Sequence, residues 1–246
     1  MKYHSIYLTC LVSLLFGAVN AQVETQVNRQ VEKAFLETKN HFDRSYGTNF
    51  NLLNGRKYYL LYSSNSHPFL YSDHYRPENL WINGVSFEGI PINYDIYKQK
   101  LILQYRSYSG EARQLILNEE LIDRFSLNGK DFRRLYFPET GFGYFQVVTS
   151  GELSFYFSWG KTMFYSPTSD STPYNYTKPS RKAYLYKSGQ LHSIKSRSAF
   201  TNAFEKKYRR DINRFLRKEQ INFRSSTDDH INRLMEYCIE RTASPW

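Results

Sequence analysis

His67, Asp73 and His74 fall together in HPFLYSDHYRPE, the residue types from which metal sites draw their ligands. Zinc motifs bring their ligands closer in sequence or add a further Cys or His near by, so this stretch reads as a polar loop between strands. Cys238 and His230 pair a thiol with a base, the elements of a nucleophilic site. Eight residues on a helix span more than two turns, which separates them. Cys238 also sits on an apolar stripe, where a free cysteine acts as a small hydrophobe. Glu119, Glu120 and Asp123 are the closest approach to grouped carboxylates. A glycoside-cleaving pair meets in space and leaves no sequence motif. Tyr71, Tyr75 and Trp81 are aromatics of the kind that stack on sugars, but among 22 Tyr and 18 Phe ordinary packing accounts for them. The chain carries no GxSxG elbow, phosphate-binding glycine loop or HExxH pattern. No catalytic residue, metal or cofactor is assigned.

The remaining chemistry is charge. FEKKYRRDINRFLRK, residues 204–218, holds seven basic side chains in fifteen positions: Lys206, Lys207, Arg209, Arg210, Arg214, Arg217 and Lys218. Residues 181–224 contain thirteen Lys and Arg against Glu205, Asp211 and Glu219, which equals the net +10 of the whole chain. Basic charge is therefore concentrated in one segment, and such asymmetry marks either a solvated face or an interaction surface. A one-sided segment repels itself unless something acidic is near. These seven side chains are the candidate partner-binding set.

The N-terminus decides which partners are reachable. Lys2, the apolar run from Ile6 to Phe16, and Val19-Asn20-Ala21 have the form of a secretory signal peptide over 1–21, cut after Ala21. Cys10 lies inside the apolar run rather than after it, so a lipid anchor is not expected. No other segment reaches the ~18 apolar residues of a membrane helix. The expectation is an exported protein of the periplasm or outer-membrane periphery, where nucleic acid is not the partner. An acidic protein, an acidic glycan or anionic lipid headgroups are. Export would leave Cys238 as the only cysteine, so stability must come from core burial rather than a disulfide.

The elements that must position the basic segment follow from periodicity. Val23, Val27, Val31, Ala34 and Phe35 recur at helical spacing, giving an amphipathic helix over 22–46. Over 50–196 the period becomes two. LSFYFSW places Leu153, Phe155, Phe157 and Trp159 on one face; KLILQYR and YFQVVTS alternate less cleanly. Ser150-Gly151 and Ser188-Gly189 sit between strand-like runs as tight hairpin turns do, and further punctuation falls at Asn54-Gly55, Asn83-Gly84, Asn128-Gly129 and Gly141. YSPTSDSTPYNYTKPS, residues 165–180, reads as an exposed loop. Residues 197–246 form a basic helical region packed on the β domain. In its first helix Phe204, Tyr208, Ile212, Phe215 and Leu216 share a face. In the second, Ser226 or Thr227 caps, and Ile231, Leu234, Met235, Cys238 and Ile239 form the stripe. The fold class is mainly β with α: an antiparallel meander, sandwich or curved sheet of about ten short strands, flanked by one N-terminal and two C-terminal helices.

GVSFEGIPINYDIYKQKLILQY, LIDRFSLNGKDF and GYFQVVTSGELSFYF, followed by the basic helix, resemble exported proteins of Bacteroidota in which a glycine-punctuated β-meander precedes a Lys/Arg-rich helical tail. The resemblance implies a cell-envelope setting and an antiparallel fold, and no catalytic residue. Asp170-Ser171-Thr172 fits the short O-glycosylation acceptor pattern of such bacteria. The function expected is a non-enzymatic envelope binding or assembly protein that uses the basic helix as its partner surface. A carrier holding an apolar ligand inside a curved sheet is the alternative, and a glycan-directed hydrolase the third.

Overall fold

The computed structural model describes residues 52, 55–60, 66–107, 110–149, 151–165 and 174–243. The expected signal segment 1–21, the helix 22–46 and the Asp170-Ser171-Thr172 acceptor lie outside the described residues. The chain divides into two compact units, one of which, 50–105 and 113–246, carries the fold discussed here. Of the other, the described part is a turn within 106–112, where Ser107 N donates to Glu111 O (2.8 Å) and Gly110 N to Ser107 O (2.8 Å).

The strands are β1 (Gly55–Lys57), β2 (Arg76–Ile82), β3 (Val85–Asp95), β4 (Lys100–Arg106), β5 (Ala112–Leu117), β6 (Ile122–Leu127) and β7 (Lys130–Phe137). They continue as β8 (Gly141–Thr149), β9 (Leu153–Gly160), β10 (Met163–Tyr165), β11 (Tyr174–Tyr176), β12 (Ser180–Lys187) and β13 (Gln190–Ile194). Eleven form one sheet in the order β1-β5-β4-β3-β2-β6-β7-β8-β9-β12-β13, and β10 pairs with β11 as a separate ribbon. The sheet is antiparallel and open, with edges at β1 and β13. It is two meanders back to back: β2 to β5 steps outward one way, and β6 to β13 steps outward from the other side of β2. The reversal runs through a 3-10 turn, Glu119–Leu121, capped by the Asn118 side chain accepting from Glu120 N (3.1 Å).

Short-range chemistry fixes the register of both meanders. Asn83-Gly84 (φ 48° and 77°), Asn128-Gly129 (54° and 74°) and Ser188-Gly189 (51° and 81°) place both central residues at positive φ. That is the type I′ turn, whose twist matches the strands it joins. The pairs Ile82↔Val85, Leu127↔Lys130 and Lys187↔Gln190 close directly across them. The proline-rich segment is more ordered than a simple loop at its ends, since Tyr174–Tyr176 pairs with Met163–Tyr165. Strand count also exceeds the ten expected, because β1, β10 and β11 are three residues each and too short to show periodicity.

Two large apolar cores and two smaller clusters form among the described residues. In the first, Tyr94 packs edge-on against Phe125 (5.6 Å), Phe132 (5.8 Å) and Tyr144 (5.6 Å), while Phe125 and Phe132 stack at 5.0 Å. Edge-to-face and offset stacks are the favoured arrangements of aromatic rings. The interior of the double meander is thus filled by side chains. In the second, Phe155, Phe157, Ala183, Leu185 and Ile194 of β9, β12 and β13 are covered by helices. These are α1 (Arg197–Asn202), α2 (Lys206–Lys218) and α3 (Asp228–Ala243). Sequence periodicity had two helices here; α1 is six residues, under two turns, too short to print a stripe.

α1 is capped by Ser196, which accepts from Ala199 N (3.1 Å). α2 buries Ile212 and Leu216 and stacks Phe215 on Tyr237 of α3 (4.3 Å). It ends with Ile221 N donating to Leu216 O (3.0 Å) around Gln220 at φ 50°, a left-handed stop that turns the chain toward α3. Phe204, expected on α2, instead precedes it and packs on Phe200 (5.2 Å). α3 buries Ile231, Leu234, Met235 and Cys238, but Ile239 is 46% exposed. The stripe is narrower than its hydrophobicity implied, its cover reaching Cys238 and not Ile239.

Leu234→Ala should therefore cost about 2–5 kcal/mol, as truncations in packed cores do. Ile239→Ala should stay within about 0.5 kcal/mol, as exposed substitutions do. Chemical denaturation of both variants beside the wild type measures the contrast.

Candidate functional site

The structure disperses the residues that might have made an enzyme. His67 stacks on Phe69 (6.1 Å) and receives Lys161, whose ammonium donates to His67 O (2.6 Å) and lies 3.5 Å from Nδ1. Burial, with the lysine charge second, holds its imidazole below the ordinary range. Asp73 and His74 pair with each other at 2.8 Å on an exposed loop. Among the described residues no group of three or more His, Cys, Asp or Glu is placed to hold a metal. His230 turns to Thr227 Oγ1 (2.9 Å), the residue that caps α3, and not to Cys238. Cys238 is fully buried, and burial pushes its thiol from 9.0 up to about 12. A neutral, enclosed thiol is inert.

The acidic residues have structural partners. Glu119 is paired with Lys100, and Asp123 Oδ2 accepts from Gly84 N (2.6 Å), pinning the first hairpin turn. Asp95, buried between β3 and its turn, accepts Tyr58 OH (2.7 Å), Tyr97 N (3.0 Å) and Lys98 N (2.8 Å). Among the aromatics, Trp81 carries the Arg124 guanidinium 4.0 Å above its ring, and Tyr75 packs edge-on to Phe69 (5.9 Å). Tyr71 is partly exposed.

The basic helix behaves differently. Lys206, Lys207, Arg210, Arg214, Arg217 and Lys218 of α2 are exposed. Arg209 is not available in the same way: its Nε donates to Phe204 O (2.8 Å) and its Nη2 to Asn202 O (3.1 Å), tying α2 to the end of α1. The segment's acids are already engaged. Glu205 pairs with Lys207 (3.3 Å), Asp211 with Arg214 (3.6 Å), and Glu219 with Arg233 (3.5 Å). No carboxylate is paired with Lys206, Arg210, Arg217 or Lys218 among the described residues. Only the first turn of α2 runs against the helix dipole: Lys206 and Lys207 occupy it with no acidic residue and no side-chain cap bond, while Glu205 at the N-cap and Arg217 and Lys218 in the last turn agree with it. Hydrogen bonds donated to Tyr208 and Glu205 hold the Lys207 ammonium above its usual value. α3, by contrast, obeys the dipole, with Asp228 and Asp229 first and Arg241 last. The cations of the segment outside α2 include Arg181, Lys182, Lys195, Arg197 and Arg224, which surround one groove.

A polar clamp that periodicity could not reveal holds this helical layer on the sheet. Gln146 of β8 is 0% exposed. Its Oε1 accepts from Trp159 Nε1 (2.8 Å), and its Nε2 donates to Asp228 Oδ2 (2.9 Å), which also meets Lys130 of β7. Arg181 of β12 lies over the Phe157 ring (3.8 Å) and donates to the carbonyls of Phe223 (3.0 Å) and Ser226, just ahead of α3. Burial lowers the Arg181 pKa, against the opposing pull of Asp228 and Tyr71. Asp228 was legible only as a dipole-favouring acid, and Gln146 carried no sequence signal at all.

No family model, curated protein or solved structure matches the chain. Among the described residues no helix is long and apolar enough to cross a membrane.

Two outcomes follow from this geometry. In a Cys10→Ser background, Cys238 should resist a thiol reagent at pH 8 until denaturant is added. Because its folded pKa is raised, its contribution to stability should be full below pH 9.0 and lost as pH climbs toward about 12; denaturation midpoints across that range measure it. Gln146→Ala and Asp228→Ala should each destabilise by about 1–3 kcal/mol by orphaning buried polar partners. Their double-mutant cycle should show coupling of about 0.5–3 kcal/mol.

Proposed function

We propose that the protein is an exported, non-enzymatic binding or assembly component of a bacterial cell envelope, and that the outer face of α2 receives an acidic partner. The observation that carries this reading is the row of exposed cations on α2. Lys206, Arg210, Arg217 and Lys218 have no carboxylate partner among the described residues, and with Lys207 beside them they repel one another. An acidic surface laid across them reverses that sign.

The apolar side of α2 is consumed by packing, with Ile212 and Leu216 fully buried and Phe215 stacked on Tyr237. An interfacial membrane helix keeps its apolar face for the acyl boundary, so this geometry supports electrostatic contact over insertion. The signal-like N-terminus and the resemblance to exported meander proteins supply the compartment.

The test is a pull-down from envelope extract with wild type and Lys207→Glu/Arg210→Glu/Arg214→Glu at two salt concentrations. The wild type should retain an acidic partner at low salt and release it as screening shortens to ~8 Å at physiological ionic strength. The triple variant should retain none, with its melting midpoint not lowered. Identical recoveries from both proteins at both salts would leave α2 merely a solvated helix.

A further inference from the structure

Arg181, Lys182, Lys195, Arg197 and Arg224 line a half-open groove of about 560 Å³ between β12, the β13–α1 turn and the α2–α3 connection. No acidic side chain belongs to its lining among the described residues. Its inner wall is apolar, formed by the buried Ala183, Ile194, Ile221 and Phe223. The volume falls within the range of ligand clefts, about 300–1,000 Å³.

Two of the cations are fixed by the fold. Arg181 Nε donates to Phe223 O (3.0 Å), and Arg197 Nε donates to Ile221 O (3.1 Å). Each bond is made through Nε, and Arg181 also spends Nη2 on Ser226 O. Both arginines grip the same short connection, 221–223. The groove's shape and its charge are therefore set by the same residues. Lys195 and Arg224 are exposed at the rim, while Lys182, between Arg181 and Ala183 on β12, shares the opposite sheet face with Tyr184.

We infer that this groove is a binding site for a phosphate-bearing ligand of at least two negative charges, a diphosphate or a phosphomonoester, with an organic portion against the apolar wall. Lys195, Arg197 and Arg224 have no carboxylate partner among the described residues and repel one another beside Arg181, and a single compact dianion offsets that repulsion more fully than a monocarboxylate. Guanidinium forks match phosphate oxygens two at a time, and ammonium groups add point charges around them. The site uses none of the α2 residues, so it stands or falls apart from the α2 partner surface.

The probe is inorganic pyrophosphate, titrated calorimetrically into the full chain at low salt. Wild type should give saturable one-to-one binding. Lys195→Glu/Arg224→Glu should weaken it at least tenfold, and Lys195→Gln/Arg224→Gln by an intermediate factor, both with unchanged far-ultraviolet circular dichroism. The α2 triple variant should bind as wild type does. Sedimentation with phosphatidic acid vesicles, against phosphatidylcholine vesicles, separates the two sources. Retention lost in the Lys195/Arg224 variants assigns a lipid headgroup, and no retention alongside pyrophosphate binding assigns a free phosphate ligand. No saturable pyrophosphate heat, or equal weakening by the α2 variant and the groove variants, overturns the inference.

Discussion

A buried side-chain amide must find partners for both its ends, and Gln146 finds them in the two parts of the molecule that would otherwise be held only by apolar contact. Its carbonyl takes the Trp159 indole and its NH₂ takes Asp228 at the start of α3. Trp159 in turn packs against both cores, and Gln99 Nε2 reaches its backbone carbonyl (2.8 Å) from the β3–β4 turn. Apolar burial supplies most of the docking energy but is not directional. The hydrogen-bonded chain through Gln146 supplies direction, since it can be satisfied in one placement of α3. Lys130 and Arg181 strengthen that choice from strands on either side.

Once α3 is placed, the orientation of α2 follows. Phe215 must meet Tyr237, Ile212 and Leu216 must enter the apolar cluster shared by helices and strands, and Arg209 must reach the carbonyls of Asn202 and Phe204. Of the nine remaining positions of this thirteen-residue helix, six hold exposed cations, and Tyr208, Asp211 and Asn213 are half-buried. The same docking brings the 221–224 connection over β12 and β13 and so builds the cationic groove. Charge that looked in sequence like one basic segment is divided by the fold into a convex face and a concave one. Those two shapes suit different kinds of acidic ligand, which is why they are separable experimentally.

The parts of this arrangement that repeat at short range were legible in the sequence. Asn-Gly and Ser-Gly pairs located three hairpins, and the α3 stripe located Ile231, Leu234, Met235 and Cys238. KLILQYR and YFQVVTS alternated poorly for a physical reason: Ile102 and Phe145 are buried on the face opposite Leu103 and Tyr144, so both faces are covered. Ile239 showed the converse, an apolar residue in register with a stripe whose cover ends before it. What stayed illegible depends on residues far apart in the chain. Gln146 and Asp228 lie 82 positions apart, and the groove collects cations from β12, the β13–α1 turn and the α2–α3 connection. Counting charge found the segment, and only tertiary placement could show that Arg209 is a structural tie while Arg197 helps wall a groove.

The central claim is that the helical layer and the β9–β12 sheet end form one rigid body that fixes both cationic surfaces. Native-state hydrogen exchange across low denaturant concentrations measures this directly. The account predicts that the buried amides of α2 and α3 and the paired amides of β9 and β12 open with one free energy and one denaturant dependence. Exchange of α2 and α3 through a smaller, separate opening, with β9 and β12 still protected, would contradict it.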